Sequence, residues 1–139
     1  GSGFYTTTSF KQAEDWVKRK LNVNTQVGYV NVYELDEDLI KHLNVLFFVF
    51  LSEEWVDFVM NNRINKDYCN GFDIVNGPVA NDKVYAAFAL YEGGIIDKQT
   101  LISELKAYKL VDQYLFHTDK SLKTIKFIEV KEVHYDRRY

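Results

Sequence analysis

Short runs rich in β-branched and aromatic residues alternate with helix-opening signals along the whole chain, and neither kind of run is long. That alternation restricts the fold to a mixed α and β architecture. Residues Gly3 to Thr7 read as a strand. Ser9, with Gln12 three residues later, is a capping-box signature for a helix whose buried stripe is Phe10, Ala13 and Val17. Val27 to Leu35 (VGYVNVYEL) and Val45 to Phe50 (VLFFVF) carry apolar residues on both faces, as core strands do. Ser52 caps a helix from about Glu53 to Asn62 with Trp55, Phe58 and Val59 inward, and the polar stretch Asn61 to Gly71 is a loop.

The second half continues the pattern. Phe72 to Val75 restarts a strand and Gly77-Pro78 turns the chain. Asn81 or Asp82 caps a helix carrying Val84, Ala87, Phe88 and Tyr91, which Gly93-Gly94 ends. Asp97 caps a second helix with Leu101, Leu105 and Tyr108 on one face, so the two helices form a pair. Asp112 to Thr118 and Lys126 to Val133 are strands separated by a turn or short helix around Ser121 to Thr124, and His134 to Tyr139 is a frayed or edge segment with a solvated Arg137-Arg138 pair.

Length and composition narrow the function classes. At 139 residues the chain is one domain by default, and seven Gly with one Pro exclude collagen-like and linker-like classes. A net charge of −3 provides no basic stripe, so nucleic acid is not an expected partner. Cys69 is the only cysteine and cannot form an internal disulfide, which favours the cytosol or another reducing compartment; a secreted effector stays open. The longest apolar run, Val45 to Leu51, is strand-sized, so no membrane partner is expected. The 22 aromatics exceed what a core of this size needs, and some should line a pocket or interface.

The usual chemical motifs are absent: no Walker loop, dinucleotide fingerprint, HExxH or nucleophile elbow. His42, His117, His134 and Cys69 show no metal-ligand spacing, so no metal is expected. The acids Asp36, Glu37, Asp38, Glu53 and Glu54 fall at helix starts or turns, where they stabilise the helix dipole. Two segments carry a signal. In the first, GSGFYTTT, a glycine-edged strand leads into the helix bearing Lys11 to Trp16; Gly3 lets a ligand approach the backbone, and Tyr5 with Trp16 could form a stacking slot for a flat ring, a packed core being the alternative. In the second, DQYLFHT from Asp112 to Thr118, the period of two puts Gln113, Leu115 and His117 on one face.

Both segments resemble, in order, motifs of the ADP-ribosyltransferase superfamily of the diphtheria-toxin and poly-ADP-ribose-polymerase type. The second motif of that superfamily looks like G-x-G-[IF]-Y-[FT] followed by a helix with a Ser/Gln-Ala pair, matched by Gly1, Gly3, Phe4, Tyr5, Gln12 and Ala13. The third looks like N-E-Y-I-V-Y-D, to which Asp112 to Thr118 is similar, with Gln113 at the catalytic glutamate position. The chain also resembles, over nearly its whole length, a largely uncharacterised bacterial domain family whose members read GFYxTT, QAxxWA, VYEFD, DIVxGPVANDxVY and NDQxxFHT. The superfamily's first motif, a strand with H-G or Y-H-G-S, has no counterpart here.

The resemblance implies an α+β fold with ADP-ribosyltransferase-like split mixed β-sheets and flanking helices, residues 1–139 forming one N-terminally incomplete domain with the first strand missing. It implies NAD as substrate, no metal, and transfer of a single ADP-ribose unit, with release of nicotinamide, to an acceptor that the sequence does not name, a protein side chain, a nucleic acid and water all being open. On this reading Gln113 and Tyr5 are the catalytic residues, Tyr5 stacking on nicotinamide in a cleft between the two motif strands. Gly3, Tyr5, Thr7, Gln12 and Trp16 contact the cofactor, and the loop Gly77 to Asp82 lies where acceptor-binding residues occur. As a neutral amide, Gln113 can orient the ribose but cannot act as a base, which disfavours chain-building chemistry. The alternatives are a catalytically silent nucleotide- or protein-binding module on the same fold, and an interaction domain whose aromatics serve a homodimer.

Overall fold

The computed structural model describes residues 3–48, 51–64, 71–79, 82–108 and 110–136. Gly1, Cys69, Ala80, Asn81, Arg137 and Arg138, the end of the Val45 to Phe50 run and most of the Asn61 to Gly71 loop therefore lie outside the described residues. In chain order the elements are β1 (Phe4–Thr7), α1 (Phe10–Lys18), β2 (Val27–Leu35), α2 (Glu37–Ile40), β3 (Val45–Phe47), α3 (Glu53–Ile64), β4 (Ile74–Pro78), α4 (Asp82–Glu92), α5 (Lys98–Ala107), β5 (Asp112–Phe116), α6 (Asp119–Leu122) and β6 (Ile125–His134). The fold is α+β with two separate sheets: four strands in the order β1-β5-β4-β3, and a ribbon of β2 with β6. The first sheet is mixed, since β3 pairs with β4 in parallel while β4–β5 and β5–β1 are antiparallel.

Helix starts follow the capping chemistry legible in the sequence. The Ser9 hydroxyl accepts the Gln12 N–H at 3.1 Å, the Ser52 hydroxyl accepts the Trp55 N–H at 3.2 Å, and the Asp97 carboxylate accepts the Thr100 N–H at 2.7 Å. At α1 the reciprocal half of the box is supplied from elsewhere: the Ser9 N–H donates to the Thr7 hydroxyl at 3.1 Å. Asp36 caps α2 by accepting the N–H groups of Asp38 and Leu39, so its carboxylate serves the helix start as expected. Gly94, at φ 75°, ends the α4 turn in the left-handed region that favours glycine.

The main core lies between α3, α4 and α5, where Trp55, Val56, Val84, Ala87, Phe88, Leu101, Ile102 and Leu105 are buried. This three-helix layer covers one face of the four-stranded sheet, because Phe48 and Trp55 occupy the space beside Gly77 of β4. A second, smaller core joins α1 to the ribbon through Leu21, Val30 and Val133 with Ala13 and Val17.

Three expectations are corrected. Val27 to Leu35 is not a doubly covered core strand: in a two-stranded ribbon only one face meets α1, so Val30 alone is buried while Tyr29 is 57% exposed. Phe10 belongs to no buried stripe, being 45% exposed with the Lys131 ammonium 5.3 Å from its ring. Gly77-Pro78 does not turn the chain but completes β4, pairing with Gln113 and Asp112. Pro78, which has no N–H to donate, stands at the last position of β4, and among the described residues the pairs of β3 with β4 run only as far as Asn76. A side chain at position 77 would press on Phe48 and Trp55, which is why glycine stands inside a strand there.

Candidate functional site

The edge strand β1 runs antiparallel to β5 with Tyr5 opposite Leu115 and Thr7 opposite Gln113. Opposed residues of an antiparallel pair share a face, and so do residues two apart on one strand. Tyr5, Thr7, Gln113 and Leu115 therefore project from the same face. Such a register sets the Thr7 and Gln113 Cβ atoms about 5 Å apart and puts Tyr5 diagonally from Gln113 at about 7 Å. Gly77 of β4 flanks Gln113 on its other side. Cover thins across this face: Val75 and Leu115 lie beneath the helices at 8% and 6% exposure, Gln113 is half-buried, and Tyr5 at the edge is 47% exposed.

The expected cleft between the two motif strands is corrected by the pairing itself. β1 and β5 are hydrogen-bonded neighbours, and a spacing of about 4.8 Å admits no ligand between them. Tyr5 and Gln113 can meet a common ligand only across the face from which both emerge.

The other predicted residues fall as follows. Gly3, at φ 152°, adjoins β5 so closely that a Cβ would stand 2.8 Å from both Leu115 Cδ1 and the Phe116 carbonyl oxygen. Its lack of a side chain serves strand packing, and the space is filled by β5 rather than open to a ligand. Thr7 has its hydroxyl proton committed to the Asp112 carbonyl at 3.0 Å while accepting from Ser9 N–H, so it bolts β5 to the start of α1 and retains one lone pair. Gln12 is half-buried in the first turn of α1. Trp16 stands on the flank of α1, 57% exposed, with the Arg19 guanidinium 5.9 Å and the Lys20 ammonium 5.1 Å from its ring. The structure thus groups Tyr5, Thr7 and Gln113 on one face, and Trp16 packs with cations.

Sequence reasoning missed the polar cluster on the opposite face. Asp112, Tyr114 and Asn76 point there, and the Asp112 carboxylate accepts from the Thr8 hydroxyl and, at 3.4 Å, from the Asn76 amide. Partial burial and the nearby Asp112 and Glu37 carboxylates push the Tyr114 phenol above its ordinary pKa, so it stays a neutral donor. The signal was the strand period, which sends Asp112 and Gln113 to opposite faces. From Tyr114 a chain of rings crosses towards the ribbon: Tyr114 stacks on Phe116, Phe116 meets Phe4, and Phe4 meets Tyr33 edge-on at 5.6 Å.

An open depression of about 500 Å³ lies over Glu34, Leu35, Asp36, Glu37 and Asp38. Its carboxylates would repel a pyrophosphate, so it is a poor dinucleotide seat. Among the described residues no three His, Cys, Asp or Glu side chains are grouped to hold a metal ion, and no helix is long and apolar enough to cross a membrane. Comparison with curated proteins and with solved structures found no match. A family model does match residues 1–127, described as "Protein of unknown function (DUF3990)", and the chain belongs to the DUF3990 family.

Proposed function

We propose that the chain is an NAD-dependent mono-ADP-ribosyltransferase-like domain. The observation that carries this reading is the register of β1 on β5, by which Tyr5 and Gln113 share one face of adjacent strands one diagonal step apart. An exposed phenol ring of this kind offers a nicotinamide a stacking surface. The Gln113 carboxamide oxygen, a diagonal step away, would accept the 2′-hydroxyl of the attached ribose. In the reaction the bond between ribose C1′ and the pyridinium nitrogen breaks and its electron pair leaves with nicotinamide. The acceptor then bonds to C1′ and gives up its proton to solvent. Gln113 brings a dipole rather than a charge to the oxocarbenium-like transition state, so it supplies less stabilisation than a carboxylate. Single-unit transfer or slow NAD hydrolysis fits that chemistry.

The neutrality of Gln113 also favours a second reading, a silent module that binds a nucleotide without cleaving it. Nicotinamide release from labelled NAD, measured for the protein beside Tyr5→Ala and Gln113→Ala, separates the two. The transferase reading expects release that falls in both variants. Equal release from all three, at the buffer rate, excludes it, and calorimetry with NAD then decides whether binding remains.

A further inference from the structure

Three consecutive carbonyls of β5 each accept a side-chain donor from a flanking strand, in addition to the bonds of the ladder. The Thr7 hydroxyl donates to the Asp112 carbonyl, the Asn76 amide to the Gln113 carbonyl and the Thr6 hydroxyl to the Tyr114 carbonyl, each at 3.0 Å. The Asp112 carboxylate adds two more ties, to the Thr8 hydroxyl and the Asn76 amide. About two-thirds of protein hydrogen bonds are backbone–backbone, and most of the remainder run from side chain to backbone. Here they converge on the peptides either side of one residue. Asn76 is central: it sits opposite Tyr114 on β4, so it approaches Gln113 from behind, on the face away from the Gln113 side chain. Asn76 takes up none of the face that Gln113 shares with Tyr5, where Gln113 is half-buried between covered Gly77 and the exposed edge at Tyr5.

We propose that Asn76 is the positioning residue for Gln113, clamping its carbonyl and the preceding carboxylate so that the carboxamide projects at one angle beside Tyr5. This rests on the transferase reading above. A neutral amide contributes to catalysis only through direction, since a dipole turned away from the developing charge stabilises nothing. Gln113 therefore needs a more rigid backbone than a carboxylate in its place would. Asp112 takes part as the acceptor that keeps the Asn76 amide turned towards β5.

The test compares Asn76→Ala with the wild-type protein and with Asp97→Ala, a remote helix-cap variant that controls for lost stability. The readouts are nicotinamide release and the 15N spectrum of the Gln113 carboxamide and backbone amide, identified by the signals lost in Gln113→Ala. For Asn76→Ala we expect kcat to fall on the order of 10- to 100-fold with KM for NAD nearly unchanged, the cost of a misdirected group rather than a lost contact. The Gln113 signals should shift or broaden in Asn76→Ala and stay in place in Asp97→Ala. Unperturbed Gln113 signals in Asn76→Ala overturn the proposal, as does a kcat no lower than that of Asp97→Ala. If the wild-type protein releases no nicotinamide, the transferase reading is refuted, and the spectra alone then decide whether Asn76 orients Gln113.

Discussion

Replacing Asp73 by alanine should loosen the joint at which the four-stranded sheet is assembled. Asp73 precedes β4 and is 9% exposed. One carboxylate oxygen accepts the Asn44 N–H, at the entry to β3, at 3.0 Å, and the other accepts the Thr118 hydroxyl, at the exit of β5, at 2.8 Å. Its own backbone bonds the same two segments, donating to the Asn44 carbonyl and accepting the His117 N–H. Alanine keeps the backbone bonds and deletes both charge-assisted ones, leaving a part-buried N–H unpaired. At about 1.5–3 kcal/mol for each hydrogen bond to a charged group, the loss is about 3–6 kcal/mol, a large share of a typical domain's stability. For a domain of this length that lowers Tm by roughly 10–20 °C. The acid side of the stability curve gives a second readout. The Asn44 N–H, then the Thr118 hydroxyl, hold the Asp73 carboxyl below its ordinary value of 3.8, against the opposing effect of burial. A lowered folded pKa means stability that is fully present above the unfolded value and is lost as pH falls through the folded one. Thermal melts from pH 7 down to about 3 should therefore show the wild-type protein losing more stability below about pH 4 than Asp73→Ala loses. Melting within about 3 °C of wild type at pH 7, or parallel acid limbs, would refute the assignment of Asp73 as the joint.

Gly3→Ala places a Cβ against the Phe116 carbonyl and Leu115 in a backbone region side chains rarely adopt, so β1 should detach from β5. Hydrogen exchange at residues 4–7 would accelerate at least about tenfold, the equivalent of about 1.4 kcal/mol. Phe88→Ala empties a fully buried ring site between α3, α4 and α5. Urea titration should register a loss of about 3–5 kcal/mol. Asp97→Ala removes the cap of α5 and should lower the urea midpoint by less than Phe88→Ala does, with nicotinamide release unchanged.

Local chemistry carries much of this fold on its face, and the reasons are specific. Ser9, Ser52 and Asp97 announce their helices because a side-chain oxygen must meet orphan N–H groups near each helix start. The strand at Asp112 is visible because Tyr114, Leu115 and Phe116 form a short β-prone run. What a single sequence does not reveal is which elements become neighbours. VGYVNVYEL reads as a core strand, yet its sheet stops at two strands, which no feature within those nine residues encodes. Gly77-Pro78 carries the signature of a turn, and only the packing of Phe48 and Trp55 explains glycine inside a strand. The same limit applies at the site. Tyr5 and Gln113 are identifiable by residue type, but that they stand side by side, and that Asn76 braces Gln113 from behind, depends on a register set over 100 residues of intervening chain.

On the proposed function, the shared face of β1 and β5 seats NAD, with Tyr5 beneath the nicotinamide ring and Gln113 at the ribose. Titrating NAD into the 15N-labelled protein measures this most directly. Saturable shifts are expected at residues 4–7 and at Gln113 and Leu115, together with slow appearance of free nicotinamide, and loss of the shifts in Tyr5→Ala. Shifts confined to any other surface, or none at millimolar NAD, would contradict it.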